Sequence, residues 1–209
     1  PDQLQILKEK APYLIAMQVK DFASITKEEI EGEKSYSDRI TIPAPKNEPT
    51  IGVIDTLFSK EVYFKEWVDF VNMLDPAIPI ESIDYYHGTE VSSIIVDGPS
   101  LNPDLNDGCG RFRVRHFGVC GYRISPSLLI RKIIRIVDQN PDIHVWNLSL
   151  GTSEEIARNF MSYESSILDE IQATKNVIFV VSGTNNSLDE DKHVRIGSPA
   201  DSLNSLVVN

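Results

Sequence analysis

Short apolar runs alternate with helix-like segments from Thr50 onward, and this alternation constrains the fold more than any other feature. Two of the runs are Ile51-Gly52-Val53-Ile54-Asp55 and Val177-Ile178-Phe179-Val180-Val181. Runs of this length that are apolar throughout are typical of parallel strands buried on both faces. Repeated strand–helix–strand units therefore predict an α/β fold, a three-layer, mostly parallel, twisted sheet with helices on both faces.

The segments between these two runs supply the other elements. Strands are predicted at residues 111–119, 144–150 and 205–208, and helices at residues 87–96, 125–140 and 154–174. Ser125-Pro126 is a good helix start, because serine can cap free amides and proline is tolerated at the first helical position. Residues 59–74 suit either a helix or a strand. The last predicted strand begins just before the chain stops, so we expect a sheet that is incomplete at the C-terminus.

Residues 1–48 differ in pattern from the rest of the chain. They contain one strand-like run at residues 13–19, a charged segment, and a stretch at 42–49 with three prolines. Proline fixes φ and has no amide hydrogen to donate, which is typical of a linker or an extended arm. We therefore expect residues 1–48 to be an N-terminal arm or the end of a preceding domain, and residues 49–209 to form the α/β unit.

Composition narrows the partners and the compartment. The formal net charge is −11, from 31 acidic and 20 basic residues, which argues against nucleic acid because phosphate binding needs a basic surface. No run of 18 apolar residues occurs, so no membrane partner is expected. The only cysteines are Cys109 and Cys120, which favours free thiols over a disulfide. With no signal-peptide pattern at the start of the chain, a cytoplasmic location is expected.

Four features fall at the predicted carboxyl ends of strands or at the helix starts that follow. They are Asp55, His87-Gly88-Thr89-Glu90-Val91, Asn147-Leu148-Ser149-Leu150-Gly151, and Val181-Ser182-Gly183-Thr184-Asn185. In open parallel sheets, functional groups gather at this edge. Each feature alone has an ordinary structural explanation, such as a helix cap or a turn. Their occurrence together and in this order is poorly explained by chance.

The chain from about Thr50 to Asn209 resembles the subtilisin-like serine proteases, or subtilases, in these four motifs. The resemblance implies a serine endopeptidase that acts on a peptide or protein substrate, with Asp55, His87 and Asn185 as catalytic residues. Histidine would act as general base, aspartate would hold its tautomer, and Asn185 would donate its amide to the oxyanion. The segment at residues 49–209 would be the N-terminal portion of the catalytic domain.

The same resemblance assigns peptide binding to the backbone of Ser149, Leu150, Gly151, Ser182 and Gly183. These residues would pair with the substrate by strand addition. His87 would lie at a helix N-terminus, where the helix dipole disfavours the imidazolium and favours a neutral base. His116, His144 and His193 carry no partner pattern and are expected to be structural or surface residues.

The nucleophilic serine of the family is not found in this chain. In subtilases it lies in Gly-Thr-Ser-x-Ala beyond the oxyanion asparagine, and that motif does not occur here. Ser198 is a weak substitute, because Pro199-Ala200 fits the approach to the last strand. We therefore expect the fragment alone to be inactive. No metal site or cofactor is expected, although family members often bind structural calcium.

Two departures from the family pattern leave other functions open. Thr56-Leu57 follows the aspartate where a glycine is usual, and Thr184 precedes the asparagine where a glycine is usual. The main alternative is a non-catalytic protein-binding module on a subtilase scaffold. A nucleotide-binding doubly wound domain ranks last, because no glycine-rich phosphate loop follows a strand.

Overall fold

The computed structural model describes residues 41–106, 108–121, 126–151, 156, 159–183 and 196–208. Several predictions fall outside these residues: the strand at 13–19, the helix cap at Ser125, and Asn185 with its neighbour Thr184. The division of the chain at residue 48 stays a prediction.

In the described part of the chain, six parallel strands form one sheet in the order β2-β3-β1-β4-β5-β6. This confirms the predicted α/β fold with a parallel sheet. The sheet grows outward from β1 in both directions, so β1 lies at its centre. The strands are β1 (Thr50–Asp55), β2 (Val68–Asn72), β3 (Arg113–Gly118), β4 (Val145–Leu148), β5 (Ile178–Ser182) and β6 (Leu206–Val208).

Among the residues that the structure describes, three α-helices and three short 3-10 helices lie between the strands. The α-helices are α1 (Tyr86–Leu101), α2 (Pro126–Gln139) and α3 (Tyr163–Thr174), and the 3-10 helices are Lys65–Trp67, Ser82–Tyr85 and Pro103–Leu105. Helix α1 contains one non-helical residue, Asp97, two residues before Pro99. Within the described residues, no helix is long and apolar enough to cross a membrane.

Two separate hydrophobic cores flank the sheet, as a three-layer fold requires. Val53 of β1 and Val96 of α1 belong to one core, whereas the next residue of β1, Ile54, belongs to the other. Successive side chains of a strand point to opposite faces, so α1 covers one face of the sheet. The core on the other face includes Ile133 of α2 and Leu168 of α3. Apolar strands buried on both sides follow directly from this arrangement.

Strands β1 and β4 pack closely at one position inside the sheet. Gly52 pairs with Trp146, and a Cβ at Gly52 would lie 2.2 Å from Cε3 of the Trp146 ring. The indole is fully buried. Only glycine leaves room for it, which explains the interruption in the otherwise branched run of β1.

Two segments differ from, or resolve, the sequence-based expectations. The predicted helix at 154–174 is wrong at the described residues 156 and 159–162, which are not helical; α3 begins at Tyr163, and Phe160 is 80% exposed. Ser162 caps the shorter helix by accepting a hydrogen bond from the Ser165 amide. The ambiguous segment at 59–74 forms the 3-10 helix Lys65–Trp67 followed directly by the edge strand β2.

Candidate active site

Asp55 and His87 meet at the carboxyl edge of the central strand. Asp55 is the last residue of β1, and His87 is the second residue of α1. Nδ1 of His87 lies 2.6 Å from Oδ1 of Asp55. The carboxylate is completely buried, whereas the histidine side chain is 47% exposed. The pair thus joins a fixed charge inside the protein to an imidazole that is open to solvent.

The end of β1 holds the Asp55 carboxylate in place. Its backbone carbonyl accepts a hydrogen bond from the Val119 amide at 2.9 Å, which continues the pairing with β3. Oδ1 also accepts from the Thr56 amide at 2.7 Å. Oδ2 is buried and accepts no hydrogen bond from the described residues. Among the described residues, the carboxylate therefore accepts from the Thr56 amide and from the imidazole, both at Oδ1.

The residues that follow His87 dock the start of α1 against the loop after β1. The Gly88 amide donates to Oγ1 of Thr56 at 2.8 Å. A Cβ at Gly88 would lie 2.7 Å from the Leu57 carbonyl oxygen and 2.9 Å from that of Thr56. Such distances admit no side chain, so glycine is required here for close approach of helix and loop.

Thr89 completes the same docking. Its hydroxyl donates to the Tyr85 carbonyl and accepts from the Ser59 amide, which lies 2.9 Å away. The His-Gly-Thr motif therefore combines three functions: an imidazole, a contact without a side chain, and a hydroxyl that fixes the loop. Thr56, which belongs to one of the two departures from the family pattern, contributes to this docking through the Oγ1 that accepts from the Gly88 amide.

The hydrogen bond that Nδ1 of His87 donates to Asp55 raises the pKa of His87 above its ordinary value of 6.5. Partial burial opposes this shift, and the charges of Asp55 and Glu90 add to it. The expectation that the helix N-terminus would keep the imidazole neutral is therefore corrected, because the adjacent carboxylate dominates. A carboxylate can only accept, so the neutral ring carries its proton on Nδ1 and its lone pair on Nε2.

The residues predicted to bind peptide lie along the same edge of the sheet. Ser149 follows the last residue of β4, and Ser182 is the last residue of β5. Strands β1, β4 and β5 are consecutive neighbours, so these positions continue the row that Asp55 begins. The Ser149 hydroxyl is 2.8 Å from Oδ1 of Asn147, and the Gly183 amide donates to the Val208 carbonyl. Leu150 and Gly151 continue from Ser149; Asn185 lies outside the described residues.

A protein-family model for the subtilase family matches residues 46–209, which is most of the chain. This chain belongs to the subtilase family. The match includes all four of the motifs at the strand ends. No curated protein matches the chain significantly.

Solved structures of proteases share the subtilase fold seen here. A mutant of the protease domain of PatA is 19% identical with a TM-score of 0.54, and the match covers 76% of this chain and 56% of that one. PagA, a prenylagaramide maturation protease, is 18% identical with a TM-score of 0.50, covering 76% and 52%. Apa1, a subtilisin-like protease from the Antarctic psychrotroph Pseudoalteromonas sp. AS-11, is 16% identical with a TM-score of 0.50, covering 76% and 35%. The chain thus spans about half the length of the first two.

An aromatic groove beside the start of α1 was not predicted from the sequence of this subtilase. It runs between the loop after β1, strand β2 and the first turn of the helix, next to His87. Its lining includes Phe58, Phe70, Tyr85 and Tyr86, together with the charged residues Lys60, Glu61 and Glu90. The groove could not be found from sequence, because the sequence of residues 59–74 suits either a helix or a strand.

The described part of this subtilase contains no group of three or more His, Cys, Asp or Glu side chains able to hold a metal ion. Structural calcium stays a prediction from the family. Cys109 is exposed and Cys120 is buried, and neither forms a disulfide. Burial raises the pKa of the Cys120 thiol to about 12, which keeps it protonated and unreactive near the site.

Proposed function

We propose that this protein is a subtilisin-like serine endopeptidase in which Asp55 and His87 are two members of a Ser-His-Asp triad. The observation that carries the proposal is the 2.6 Å contact between Nδ1 of His87 and the buried Oδ1 of Asp55. A buried carboxylate that fixes the tautomer of an accessible imidazole is the arrangement that activates a serine hydroxyl. Membership of the subtilase family supports the same reaction.

In the proposed reaction, Nε2 of His87 takes the proton of the serine hydroxyl as its Oγ attacks the peptide carbonyl carbon. The new bond forms between Oγ and that carbon, while the carbonyl electron pair moves onto oxygen. Asp55 stabilises the imidazolium that results. Asn185 donates to the oxyanion, whose electron pair then re-forms the carbonyl as the C–N bond breaks and the imidazolium gives its proton to the leaving nitrogen. Water, deprotonated by the same Nε2, then attacks the acyl-enzyme, and the serine oxygen leaves with that proton.

The nucleophile is proposed to come from a part of the protein outside this sequence. Among the described residues, no serine hydroxyl is hydrogen-bonded to His87. Ser198 instead bonds the Ser162 hydroxyl at 2.9 Å and the Glu164 carboxylate at 3.1 Å, next to α3. A serine held in this way supports a structural role for Ser198. The chain alone is therefore proposed to bind peptide without cleaving it.

The substrate is proposed to be an extended peptide that pairs with the backbone at the ends of β4 and β5. The edge formed by Ser149, Leu150 and Gly151 would supply the row of amides and carbonyls that pairs with the peptide. Ser182-Gly183 would border the peptide on the other side, since the Gly183 amide and carbonyl are already bonded to Val208 and Gly197. Main-chain pairing of this kind gives affinity with little demand on the peptide sequence.

A fluorophosphonate probe tests the proposal in the full-length protein. We expect covalent labelling of one serine, located by mass spectrometry in a Gly-Thr-Ser-x-Ala segment, and loss of labelling in His87→Ala. His144→Ala is the matched control, because His144 is a histidine that bonds the Asn176 carbonyl at the opposite edge of the sheet. Absence of labelling in the folded wild-type protein contradicts the enzyme and leaves the non-catalytic binding module.

A further inference from the structure

A second histidine, His116, lies buried beneath the Asp55–His87 pair. It belongs to β3 and is completely inaccessible to solvent. Its ring packs against Phe58 and Phe70, with ring centroids 5.7 Å and 5.6 Å away. Burying a polar ring among apolar side chains costs free energy unless both of its nitrogens form hydrogen bonds.

Both ring nitrogens of His116 have partners, and they belong to different elements. Nε2 lies 2.8 Å from the Thr56 carbonyl oxygen, directly after Asp55. Nδ1 lies 2.9 Å from the Ser92 hydroxyl, on the second turn of α1. Because a carbonyl can only accept, Nε2 carries the proton, and the Ser92 hydroxyl then donates to Nδ1. The neutral ring therefore satisfies both partners at once.

Burial lowers the pKa of His116, although the Thr56 carbonyl and the Asp55 charge partly oppose this shift. The neutral form is thus the one that the fold favours near neutral pH. His87 behaves in the opposite way, since its pKa is raised. His87 is therefore placed to take up a proton, whereas His116 stays neutral and binds its neighbours.

The contacts of His116 extend to the residue that follows each member of the pair, Thr56 after Asp55 and Gly88 after His87. A Cβ at Gly88 would lie 2.8 Å from Cε1 of His116, so the ring touches the backbone directly after His87. The Thr56 residue whose carbonyl it binds also supplies the Oγ1 that accepts from the Gly88 amide. The ring is thus a joint between β3, the residue after Asp55 and the helix that carries His87.

We propose that His116 is a positioning residue that sets the distance between Asp55 and His87. This role rests on the proposed protease function for its consequence in catalysis, but the geometry it fixes can be measured without activity. An apolar residue of similar size would fill the same space while leaving the Thr56 carbonyl and the Ser92 hydroxyl without this partner. The loop after β1 would then be held against α1 by fewer contacts, namely the Gly88–Thr56 and Ser59–Thr89 hydrogen bonds.

The test measures the pKa of His87 by NMR in the full-length protein with 13Cε1-labelled histidine. We expect His116→Phe to lower the pKa of His87 toward its ordinary value, because the Asp55 contact that raises it becomes looser. His116→Gln is the conservative variant, since its amide can still donate to the Thr56 carbonyl, and it is expected to restore the wild-type pKa. If the protein is active, kcat should fall about 10- to 100-fold in His116→Phe with a smaller change in KM, as for a misplaced catalytic group.

Two further variants keep the test decisive. Ser92→Ala removes only the partner of Nδ1, so it gives a folded alternative if His116→Phe does not fold, and it should lower the pKa of His87 to a smaller extent. His144→Gln should leave that pKa unchanged. An unchanged pKa of His87 in the folded His116→Phe and Ser92→Ala variants overturns the proposal and makes His116 a packing residue only. Failure of the fluorophosphonate experiment alone overturns the protease function and leaves this geometry intact.

Discussion

Aspartates in two regions of the molecule show how differently a fold can use a carboxylate. Asp201 accepts hydrogen bonds from the Ser162 amide and from the hydroxyls of Ser162 and Ser165, so it fastens the start of α3 to the 197–205 loop. Asp169 accepts from the Ser202 hydroxyl and from the amides of Leu203 and Asn204. Asp55 is more deeply buried, yet its Oδ2 has no donor among the described residues.

The Asp201 carboxylate stabilises the local structure, whereas the Asp55 carboxylate binds the His87 imidazole. Burial alone raises the pKa of Asp201, but the hydrogen bonds from Ser165 and Ser162 outweigh it and leave the pKa below its ordinary value. The ionised form of Asp201 is thus stabilised by saturation with donors. At Asp55 the main partner is a group that itself titrates. Substitutions at the two sites should therefore affect different measurements.

The largest effect is expected from Asp55→Asn. The asparagine amide would face Nδ1 of His87 with a donor, which favours the tautomer that cannot act as base at Nε2. We expect kcat of the full-length protein to fall by about 10⁴-fold with an unchanged fold. Hydrolysis of a fluorogenic peptide measures the loss, and a circular dichroism spectrum checks the fold. An Asp55→Asn variant with wild-type kcat would place the catalytic charge elsewhere.

Gly88→Ala tests whether the close approach of helix and loop is required. Its Cβ would meet the Leu57 and Thr56 carbonyls below 3.0 Å, so the start of α1 must move. We expect a loss of about 1–3 kcal/mol in the free energy of unfolding, typical of overpacking, and a lower kcat. Gly98→Ala is the matched control on the same helix, because its nearest neighbour would be 3.9 Å away. Equal urea midpoints for the two variants would contradict the packing described here.

Asp201→Asn should show the reverse of Asp55→Asn. It weakens a saturated carboxylate site, so we expect a loss of about 1–3 kcal/mol in the free energy of unfolding and an unchanged kcat. The folded pKa of Asp201 is depressed, so its contribution is present above the unfolded value of 3.8 and is lost as pH falls through the folded value. Urea unfolding at pH 7 and in this acidic range measures both effects. A wild-type urea midpoint at pH 7 would show that the hydrogen bonds of Asp201 add nothing to the free energy of unfolding.

The smallest effect is expected at the exposed ion pair between Arg115 and Asp142, at the amino-terminal side of the sheet. Their atoms lie 3.1 Å apart, and the Arg115 hydrogen bond lowers the pKa of Asp142. Exposed pairs contribute roughly 0.2–1 kcal/mol. Asp142→Asn should therefore lower the melting temperature slightly at low salt, and the difference should shrink at high salt. A large loss that salt does not change would rank this carboxylate with Asp201.

Much of the fold could be predicted because local pattern and tertiary burial agree. The strands predicted at 111–119 and 177–181 form at Arg113–Gly118 and Ile178–Ser182. The first places Val114 in one core and Phe117 in the other, and the second is an apolar run whose Phe179 and Val181 enter one core. The helix predicted at 154–174 is wrong at the described residues 156 and 159–162, where apolar spacing favoured a helix. The helix begins at Tyr163 because Ser162 caps its first turn. The Asp201 carboxylate that binds Ser162 is 39 residues away in the sequence, so no local pattern reveals this cap.

The site was predictable to the same extent. Asp55 and His87 stand in motifs that mark strand ends and helix starts, so their meeting could be anticipated. His116 could not be assigned, because its two partners are 60 and 24 residues distant and its own neighbours form an ordinary strand pattern. The direction of the His87 pKa shift was also missed. It depends on an interatomic distance, whereas the helix-dipole argument used only the position of the residue in the chain.

The pH dependence of fluorophosphonate labelling in the full-length protein tests the central claim most directly. If His87 is the base and Asp55 its partner, labelling should require the neutral imidazole. The acid limb should then have its midpoint above 6.5, and Asp55→Asn should move that midpoint downward. Labelling that is independent of pH across this range, or a midpoint that Asp55→Asn leaves unchanged, would contradict a catalytic Asp55–His87 pair.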